Sequence, residues 1–351
     1  MSVDLQSQAR FDVDAESRRF PLQSNAWSAT AARAQLHYVS GKGGTGKSTM
    51  AAALALALAA QGRRVLLVEV EGRQGIAPLF GFDSLPPTET LIETTERGGE
   101  VIALPIDVSH AFLEYLAVNY KLGIAGKALK RMGLVDFVTG LAPGLKDVII
   151  TGKIMECVEA VNKDKSRVYD AVVVDAPPTG RITTFLDVTT AMAELAKGGP
   201  IVQQADRVAS LVHSEQTMVH LVTLLEALPV QETLDAIAEL RAKDFHLGAV
   251  IVNRASERLL PERVASDAAN GVVDAAVLES YLRKVGLDPS AAEGLRREVI
   301  EYAVRYQAQS ECAAAIERAG VEPLTLPSLD GGVDRAAIEE IARKLAEQGV
   351  E

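Results

Sequence analysis

The chain has 351 residues, of which 36 are Lys or Arg and 47 are Asp or Glu, so its formal net charge is −11. A hydrophobic fraction of 48% at this length is typical of a globular protein with one large α/β domain or two smaller ones. The acidic balance disfavours proteins that bind nucleic acid or anionic lipid over a broad surface, so we expect no nucleic-acid partner.

Cysteine and hydropathy patterns restrict the class of protein further. Cys157 and Cys312 are the only cysteines and lie far apart, which excludes a CxxC metal motif and a disulfide framework. The longest uninterrupted apolar stretch is residues 50–60, and its length is about half of the ~20 residues that a membrane-spanning helix needs. We therefore predict a cytoplasmic protein that is not integral to a membrane.

The first 34 residues differ from the rest of the chain. Residues 1–34 show no sustained periodicity and are rich in Ser, Gln, Asp and Arg, which predicts a flexible N-terminal tail. The alternative is an arm that binds a partner through Phe20 or Trp27. Residues 35–351 are predicted to form a single domain, because no repeat or low-complexity linker divides them.

From residue 36 onward, short apolar runs alternate with longer helical patterns, which predicts a doubly wound α/β fold with a mainly parallel sheet of seven or eight strands. Strands are predicted at 36–40, 64–70, 101–104, 171–175, 218–225, 249–253 and 323–326. Helices are predicted at 48–61 and 336–347. Two helix-rich stretches, about 109–168 and about 261–319, are predicted to be helical insertions.

The strongest motif lies between the first strand and the helix that follows it. Residues 41–48 read GKGGTGKS and match the P-loop pattern G-x-x-x-x-G-K-[ST]. Glycines let backbone N–H groups converge on phosphate oxygens, and the helix N-terminus adds the positive end of its dipole. The predicted phosphate site consists of Gly41, Gly43, Gly44, Thr45, Gly46, Lys47, Ser48 and Thr49. Lys47 would reach the β- and γ-phosphates, and the Ser48 hydroxyl would ligate Mg²⁺.

A second lysine makes this motif more specific. Lys42 directly follows the first glycine, which the general P-loop pattern does not require. The run GKGGTGKST resembles the deviant Walker A motif of a class of dimeric ATPases. That resemblance implies that Lys42 is catalytic and contacts the nucleotide of the facing subunit, so that dimerisation and hydrolysis are coupled.

The Walker B element is expected at the end of a hydrophobic strand. Residues 172–190 read VVVDAPPTGRITTFLDVTT, and Asp175 closes the apolar run. In this arrangement an aspartate holds Mg²⁺ through water. We therefore predict that Asp175 and Ser48 form the metal site.

Residues 172–190 resemble the switch II element of the ArsA family, which includes arsenical-pump ATPases and ATPases that target tail-anchored proteins. Three further segments resemble elements of that family in the same order, namely 142–147, 217–233 and 251–254. The resemblance covers about residues 36–350 and is closest to an actinobacterial subgroup described as anion-transporting ATPases. It implies a P-loop NTPase fold, hydrolysis of ATP with Mg²⁺, and a dimer.

The position of the water-orienting residue departs from the family pattern. Relatives carry Asp where this chain has Glu71, and the resemblance implies that Glu71 positions the attacking water. The glutamate is one methylene longer than aspartate, and the Asp-Pro-Ala-His run of the family is missing. The alternatives are a Mg²⁺ network shared with Glu69, or a weakened hydrolysis site.

The base is predicted to be adenine. The amide of Asn253 can pair with N6 and N7 of adenine, and the turn at Pro327 is expected to cover the ring. A guanine-reading N-K-x-D element is not supported, because Lys165 stands where that motif needs Asp. ATP and Mg²⁺ are therefore the predicted cofactors.

The sequence predicts a Mg²⁺-dependent ATPase that acts as a dimeric nucleotide switch coupled to a client protein, a transport partner or a small ligand. The partner subunit is predicted to be a second copy or a related ATPase, and the client to be a membrane protein or a small ligand. The alternative is a low-turnover ATP-binding regulatory subunit paired with a related ATPase. Arsenite transport is disfavoured because As(III) needs clustered thiolates and the chain has two cysteines.

Overall fold

The computed structural model describes residues 27–72, 74–120, 143–188, 200–329 and 331–350. Within these ranges one eight-stranded sheet is flanked by helices. The strands are β1 Leu36–Gly41, β2 Arg64–Glu69, β3 Thr90–Thr94, β4 Glu100–Pro105, β5 Ala171–Asp175, β6 Thr217–Thr223, β7 Leu247–Ala255 and β8 Leu324–Pro327.

The described helices alternate with the strands along the chain. They are α1 Ala29–Arg33, α2 Lys47–Ala59, α3 Val108–Tyr120, α4 Pro143–Glu159, α5 Thr179–Leu186, α6 Pro200–Val212, α7 Ala227–Ala242, α8 Glu262–Ala269, α9 Ala275–Lys284, α10 Ala292–Arg318 and α11 Arg335–Glu347. None of them combines the length and the apolar composition that crossing a bilayer requires.

The strand order is β3-β4-β2-β5-β1-β6-β7-β8, and every neighbouring pair is parallel except β3 and β4. This confirms the predicted doubly wound, mainly parallel sheet. The sequence did not predict β3, because its run TLIET is half exposed at the sheet edge and lacks the continuous apolar character of the buried strands. Pairing with β4 in an antiparallel register defines it instead.

Each face of the sheet covers its own hydrophobic core. Leu36 and Tyr38 of β1 belong to one core and Val39 to the other, as the alternation of side chains along a strand requires. Helix α2 is buried on all sides from Met50 to Ala59, which explains its Ala and Leu composition. Its outer side is covered by α11, so the helix that begins at the P-loop is fixed between the sheet and a second helix.

The segment that precedes β1 contains a short helix and a buried aromatic ring. Residues 27–34, assigned to the flexible tail, include helix α1, whose first turn is capped by the Ser28 hydroxyl. Trp27 is 8% exposed, and its ring stacks on His37 and His220 at centroid distances of 5.8 and 5.2 Å. Residues 27–34 therefore pack on the sheet of the domain that was predicted to begin at residue 35. The division at residue 34 stays a prediction. Residues 1–26 lie outside the described residues.

The structure describes helices in both of the helix-rich stretches. Helices α3 and α4 lie in the first stretch, whose residues 121–142 are outside the described ranges. Helices α8, α9 and α10 form the second stretch, in which α8 and α9 pack on α10.

Candidate functional site

The P-loop lies at the carboxyl ends of the central strands. Strand β1 ends at Gly41 between β5 and β6, α2 begins at Lys47, and residues 42–46 form the turn between them. Ligands of open α/β sheets bind at this edge. Gly44 and Gly46 have φ angles of 89° and 95°, which glycine adopts without strain and other residues rarely do.

Two buried polar side chains fix the shape of this loop. The Thr45 hydroxyl donates to the carbonyl of Lys42 at 2.8 Å, and Nδ2 of Asn253 donates to the carbonyl of Thr45 at 2.9 Å. A Cβ on Gly46 would lie 2.6 Å from that Nδ2 atom, so only glycine permits the contact. Asn253 thus supports the phosphate loop from β7, a role that its residue type did not reveal. Its predicted contact with adenine stays a prediction.

Ser48 and Asp175, the two predicted metal residues, are in contact, and their role in holding Mg²⁺ stays a prediction. The Ser48 hydroxyl donates to Oδ2 of Asp175 at 2.5 Å, although 127 residues separate the two. Burial raises the pKa of Asp175 to about 6, against the hydrogen bond from Ser48 and the charge of Lys47. Glu69 and Glu71 also raise this pKa, which places both carboxylates near the same corner of the site.

Glu69 is a site residue that the sequence offered only as an alternative partner of Glu71. It is 2% exposed and lies opposite Asp175 in the β2–β5 register. Its Oε1 accepts the Gly75 N–H at 2.8 Å. Within the described part of the chain, Oε2 of Glu69 and Oδ1 of Asp175 are buried without a hydrogen-bond donor.

Those two oxygen atoms test whether the corner fits a metal ion. A buried carboxylate oxygen without a donor is costly, and a hard divalent cation with oxygen ligands would stabilise it. Ser48, Asp175 and Glu69 together provide a hydroxyl and two carboxylates of the kind that Mg²⁺ prefers. The donor set therefore fits Mg²⁺.

The segment that follows β2 and carries Glu71 has a non-helical backbone conformation at Gln74. Glu71 is half-buried at its start, and Gln74 has a φ of 54°, an uncommon angle for a residue other than glycine. The Gln74 amide accepts from the backbone N–H of Leu85 at 2.8 Å and donates to its carbonyl at 3.2 Å. These contacts fix the segment that carries Glu71. The role of Glu71 in orienting water stays a prediction.

Helix α5, which follows Asp175, is tied to α7 by three polar contacts, whose residues on the α5 side are four positions apart. They join the Thr179 hydroxyl to Glu232 at 3.4 Å, the Thr183 hydroxyl to Glu239 at 2.9 Å, and Asp187 to Lys243 at 2.8 Å.

Two other contacts connect the segment after Asp175, which is predicted to be switch II, to β1 and to α4. The hydroxyl of Ser40 donates to the carbonyl of Pro177 at 2.6 Å. Arg181 of α5 reaches Oδ1 of Asp147 on α4 at 3.5 Å. Asp147 is buried, which raises its pKa to about 6 against the charges of Arg181 and Lys146. The segment after Asp175 therefore contacts both the strand that leads into the P-loop and the first helix-rich stretch.

Lys42 pairs within its own chain. Its ammonium group donates to Oε1 of Glu232 on α7, the residue whose other oxygen accepts from Thr179. The sequence predicted a contact with the facing subunit for Lys42 and did not single out Glu232. That contact with a second subunit stays a prediction.

A cavity of about 170 Å³ lies beside the predicted base-covering turn. Its lining includes Pro327, Ala255, Leu225, Tyr306 and Gln309. Pro327 and Ala255 pair where β8 and β7 end, so the cavity is at the same edge as the P-loop. Helix α10 supplies Tyr306 and Gln309, which no motif indicated.

A larger cavity of about 560 Å³ lies at the opposite edge of the sheet. Its lining includes Gln35 and Gln216, which precede β1 and β6. It is therefore separate from the P-loop.

Comparison with known proteins agrees with this geometry. The family model ArsA_ATPase, described as anion-transporting ATPase, matches residues 34–212. The chain is 54% identical over 329 residues to the ATPase BagA of Mycobacterium tuberculosis, an alignment that covers 93% of this chain and 97% of the relative.

Two eukaryotic relatives are more distant. The ATPase GET3 of Kluyveromyces lactis is 23% identical over 251 residues, which cover 62% of this chain and 71% of GET3. The ATPase asna-1 of Caenorhabditis elegans is 27% identical over 168 residues, which cover 45% and 46% of the two chains. With a family model that matches half of its length and a relative that it matches almost from end to end, the chain belongs to the ArsA family of ATPases and is an ATP hydrolase.

Proposed function

We propose that this ATPase is a Mg²⁺-dependent dimeric switch that couples the nucleotide state to a client. The observation that supports it best is the Ser48–Asp175 contact beside the P-loop, with buried carboxylate oxygens that lack donors in the described residues. In this proposal the chain works in the cytoplasm, without nucleic acid, as a homodimer or with a related ATPase subunit.

Phosphate binding is the task of the P-loop. Backbone N–H groups of residues 43–48 and the N-terminus of α2 surround the phosphates, while Lys47 neutralises the β- and γ-phosphate charge. Thr49 adds a hydroxyl at the α-phosphate. The contact of Asn253 with Thr45 keeps this loop preorganised, so less order has to be imposed on binding.

Ser48 and Asp175 would hold Mg²⁺, which supplies positive charge to the phosphates when it is bound. Hydrolysis then depends mainly on positioning and charge. Glu71 accepts a hydrogen bond from the attacking water and orients it towards the γ-phosphate. The clamp of Gln74 on Leu85 holds the segment in which Glu71 lies.

The base lies between Asn253 and the turn at Pro327. The cavity beside Pro327 extends this subsite towards Tyr306 and Gln309 of α10. The Asn253 amide offers the donor and acceptor that N7 and N6 of adenine require.

The switch action uses the contacts of α5. Loss of the γ-phosphate alters the surroundings of Asp175, and α5 follows directly after it in the chain. Arg181 transmits the movement to α4 through Asp147, and α4 belongs to the stretch that we assign to the client, a membrane protein or a small ligand. Lys42 moves from Glu232 to the nucleotide of the facing subunit when the dimer closes.

The two lysines of the loop test this proposal. Lys47→Ala should abolish ATP binding, whereas Lys42→Ala should bind ATP but lose hydrolysis and nucleotide-dependent dimerisation. Binding is measured with a fluorescent ATP analogue, and association by sedimentation velocity. The exposed Lys163 provides a control, since Lys163→Ala removes the same charge away from the P-loop. Normal hydrolysis by Lys42→Ala would contradict the cross-subunit role.

A second candidate is a low-turnover ATP-binding regulatory subunit paired with a related ATPase. Glu71 in place of the family aspartate favours it, because the longer side chain changes where water can be held. Steady-state hydrolysis by the isolated chain decides between them. Turnover that is lost in Glu71→Gln supports the first candidate, and turnover that appears only with a related subunit supports the second.

A further inference from the structure

We propose that Glu69 is a second protein carboxylate of the cation site, so that the folded chain binds a divalent cation before nucleotide arrives. This inference rests on the proposed function, because it assigns a further residue to the same site. Asp175 and Ser48 are the residues that the motifs predict for the metal, and neither motif includes Glu69.

The first argument is the position of Glu69 in the sheet. Glu69 ends β2 and Asp175 ends β5, and these neighbouring parallel strands pair the two residues in register. Adjacent strands lie about 4.8 Å apart, and residues in register point to the same face of the sheet. The two carboxylates therefore leave the sheet side by side, at the edge that carries the P-loop.

The second argument is the state of the carboxylate oxygens. Glu69 is 2% exposed and Asp175 is 8% exposed. One oxygen of each carboxylate accepts a hydrogen bond. Glu69 accepts from the Gly75 N–H, and Asp175 accepts from the Ser48 hydroxyl. Among the described residues, the second oxygen of each is buried and has no donor. Two adjacent buried carboxylates in this state need a cation or a shared proton.

The third argument is the space beside Gly75. A Cβ on Gly75 would lie 3.3 Å from the Ser48 hydroxyl oxygen and 3.9 Å from Oε1 of Glu69. The hydroxyl and the carboxylate therefore border the same small volume, which the missing side chain of Gly75 leaves open. Ser48 also donates to Asp175, so oxygen atoms from three separate elements, β2, α2 and β5, lie at this edge of the sheet.

The charge of these side chains indicates which ion the site would bind. Glu69, Glu71 and Asp175 lie near one another with the Lys47 ammonium, which leaves a formal charge of −2, and a small divalent cation with oxygen ligands matches that charge. A site with one carboxylate would depend on the phosphates for most of its affinity. With two, the chain itself should hold the ion, and the Gly75 contact of Glu69 would transmit its presence to the segment that carries Glu71.

Binding of Mn²⁺ to the full chain without nucleotide tests the inference. Free Mn²⁺ is measured by electron paramagnetic resonance during a titration, and Mg²⁺ competition shows that the sites are the same. Glu69→Gln keeps the size of the side chain and an oxygen for Gly75, and should weaken Mn²⁺ binding about tenfold or more. Asp175→Asn should weaken it by a similar factor. The control is Glu93→Gln, which removes a half-buried carboxylate paired with Arg335.

The outcomes separate this inference from the proposed function. Binding of an ATP analogue is measured in parallel with Mg²⁺ in excess. If the wild-type chain binds no ATP, the proposed function fails. If it binds ATP and Glu69→Gln binds Mn²⁺ as tightly as wild type, this inference fails and a shared proton explains the buried pair.

If Glu69→Gln does not fold, Glu69→Asp is the deciding variant, because it keeps the charge. Glu69→Asp should bind Mn²⁺ more tightly than Asp175→Asn does, and equally weak Mn²⁺ binding by both would overturn the inference.

Discussion

Lys42 and Glu232 form an ion pair within one chain, although 190 residues separate them. Their side chains are 32% and 41% exposed, so the pair contributes at most about 1 kcal/mol to stability. The other Glu232 oxygen accepts from Thr179, so one carboxylate joins the P-loop to the start of α5. Because the pair is weak, a phosphate can displace Glu232 from Lys42 at little cost.

Removal of this carboxylate should favour the closed dimer. Glu232→Gln frees Lys42 and loses the charge that holds it in its own chain. We expect dimerisation at a lower concentration of ATP analogue, by roughly three- to tenfold, and a change in unfolding free energy below about 1 kcal/mol. Sedimentation velocity measures the first and chemical denaturation the second. Glu298→Gln, at an exposed site on α10, is the matched control, and equal dimerisation in both variants would contradict the prediction.

An alanine at residue 46 should damage the phosphate loop more than the fold. Gly46 has a φ of 95°, and its Cβ would press on Nδ2 of Asn253 at 2.6 Å. The backbone strain is about 1–2 kcal/mol, so Gly46→Ala should remain folded yet lose most of its ATP affinity. Isothermal titration measures the affinity and thermal unfolding the fold. Gly43→Ala, where a Cβ would meet no neighbour, is the control and should affect ATP affinity less.

Asn253 has one observed contact, with the phosphate loop, and one predicted contact, with adenine, and nucleotide selectivity can separate the two. Asn253→Ala removes the hydrogen bond to Thr45, worth about 1–3 kcal/mol because it leaves a buried carbonyl without its donor. If Asn253 also reads adenine, the variant should lose affinity for ATP by a larger factor than for GTP. Competition of both nucleotides against a fluorescent analogue measures the ratio. An equal loss for both would restrict Asn253 to supporting the loop.

Acid should weaken the contact between Trp27 and the sheet. His37 and His220 are buried and hydrogen-bonded to each other, and burial lowers the pKa of His37 to about 4. The unfolded chain therefore takes up the proton at higher pH than the folded chain does, and stability falls as pH decreases from about 6.5 to 4. The loss from His37 is of order 3 kcal/mol.

Trp27 is the only tryptophan, so its fluorescence reports on this contact directly. Urea unfolding monitored at pH 7 and pH 5 should show the loss in wild type and a smaller one in His37→Gln. The exposed His110 supplies the control, since His110→Gln should keep the wild-type dependence. A pH dependence unchanged in His37→Gln would contradict the assignment.

Short-range sequence signals determined the P-loop and most of the sheet. The run 41–48 specifies its own backbone geometry, because its glycines allow the left-handed angles at Gly44 and Gly46 whatever packs around them. Continuous apolar runs likewise identify strands buried on both faces, as in the predicted and observed strand Ala171–Asp175.

Only the tertiary structure decided which distant side chains meet. The order of β2, β5 and β1 places Glu69 next to Asp175, and the position of α7 brings Glu232 to Lys42. No local pattern records such pairs, since each depends on how strands and helices separated by a hundred or more residues pack. For the same reason the sequence assigned Trp27 to a tail, whereas in the fold it is buried. Its stacking partner His220 lies in β6, which is on the opposite side of β1 from β5.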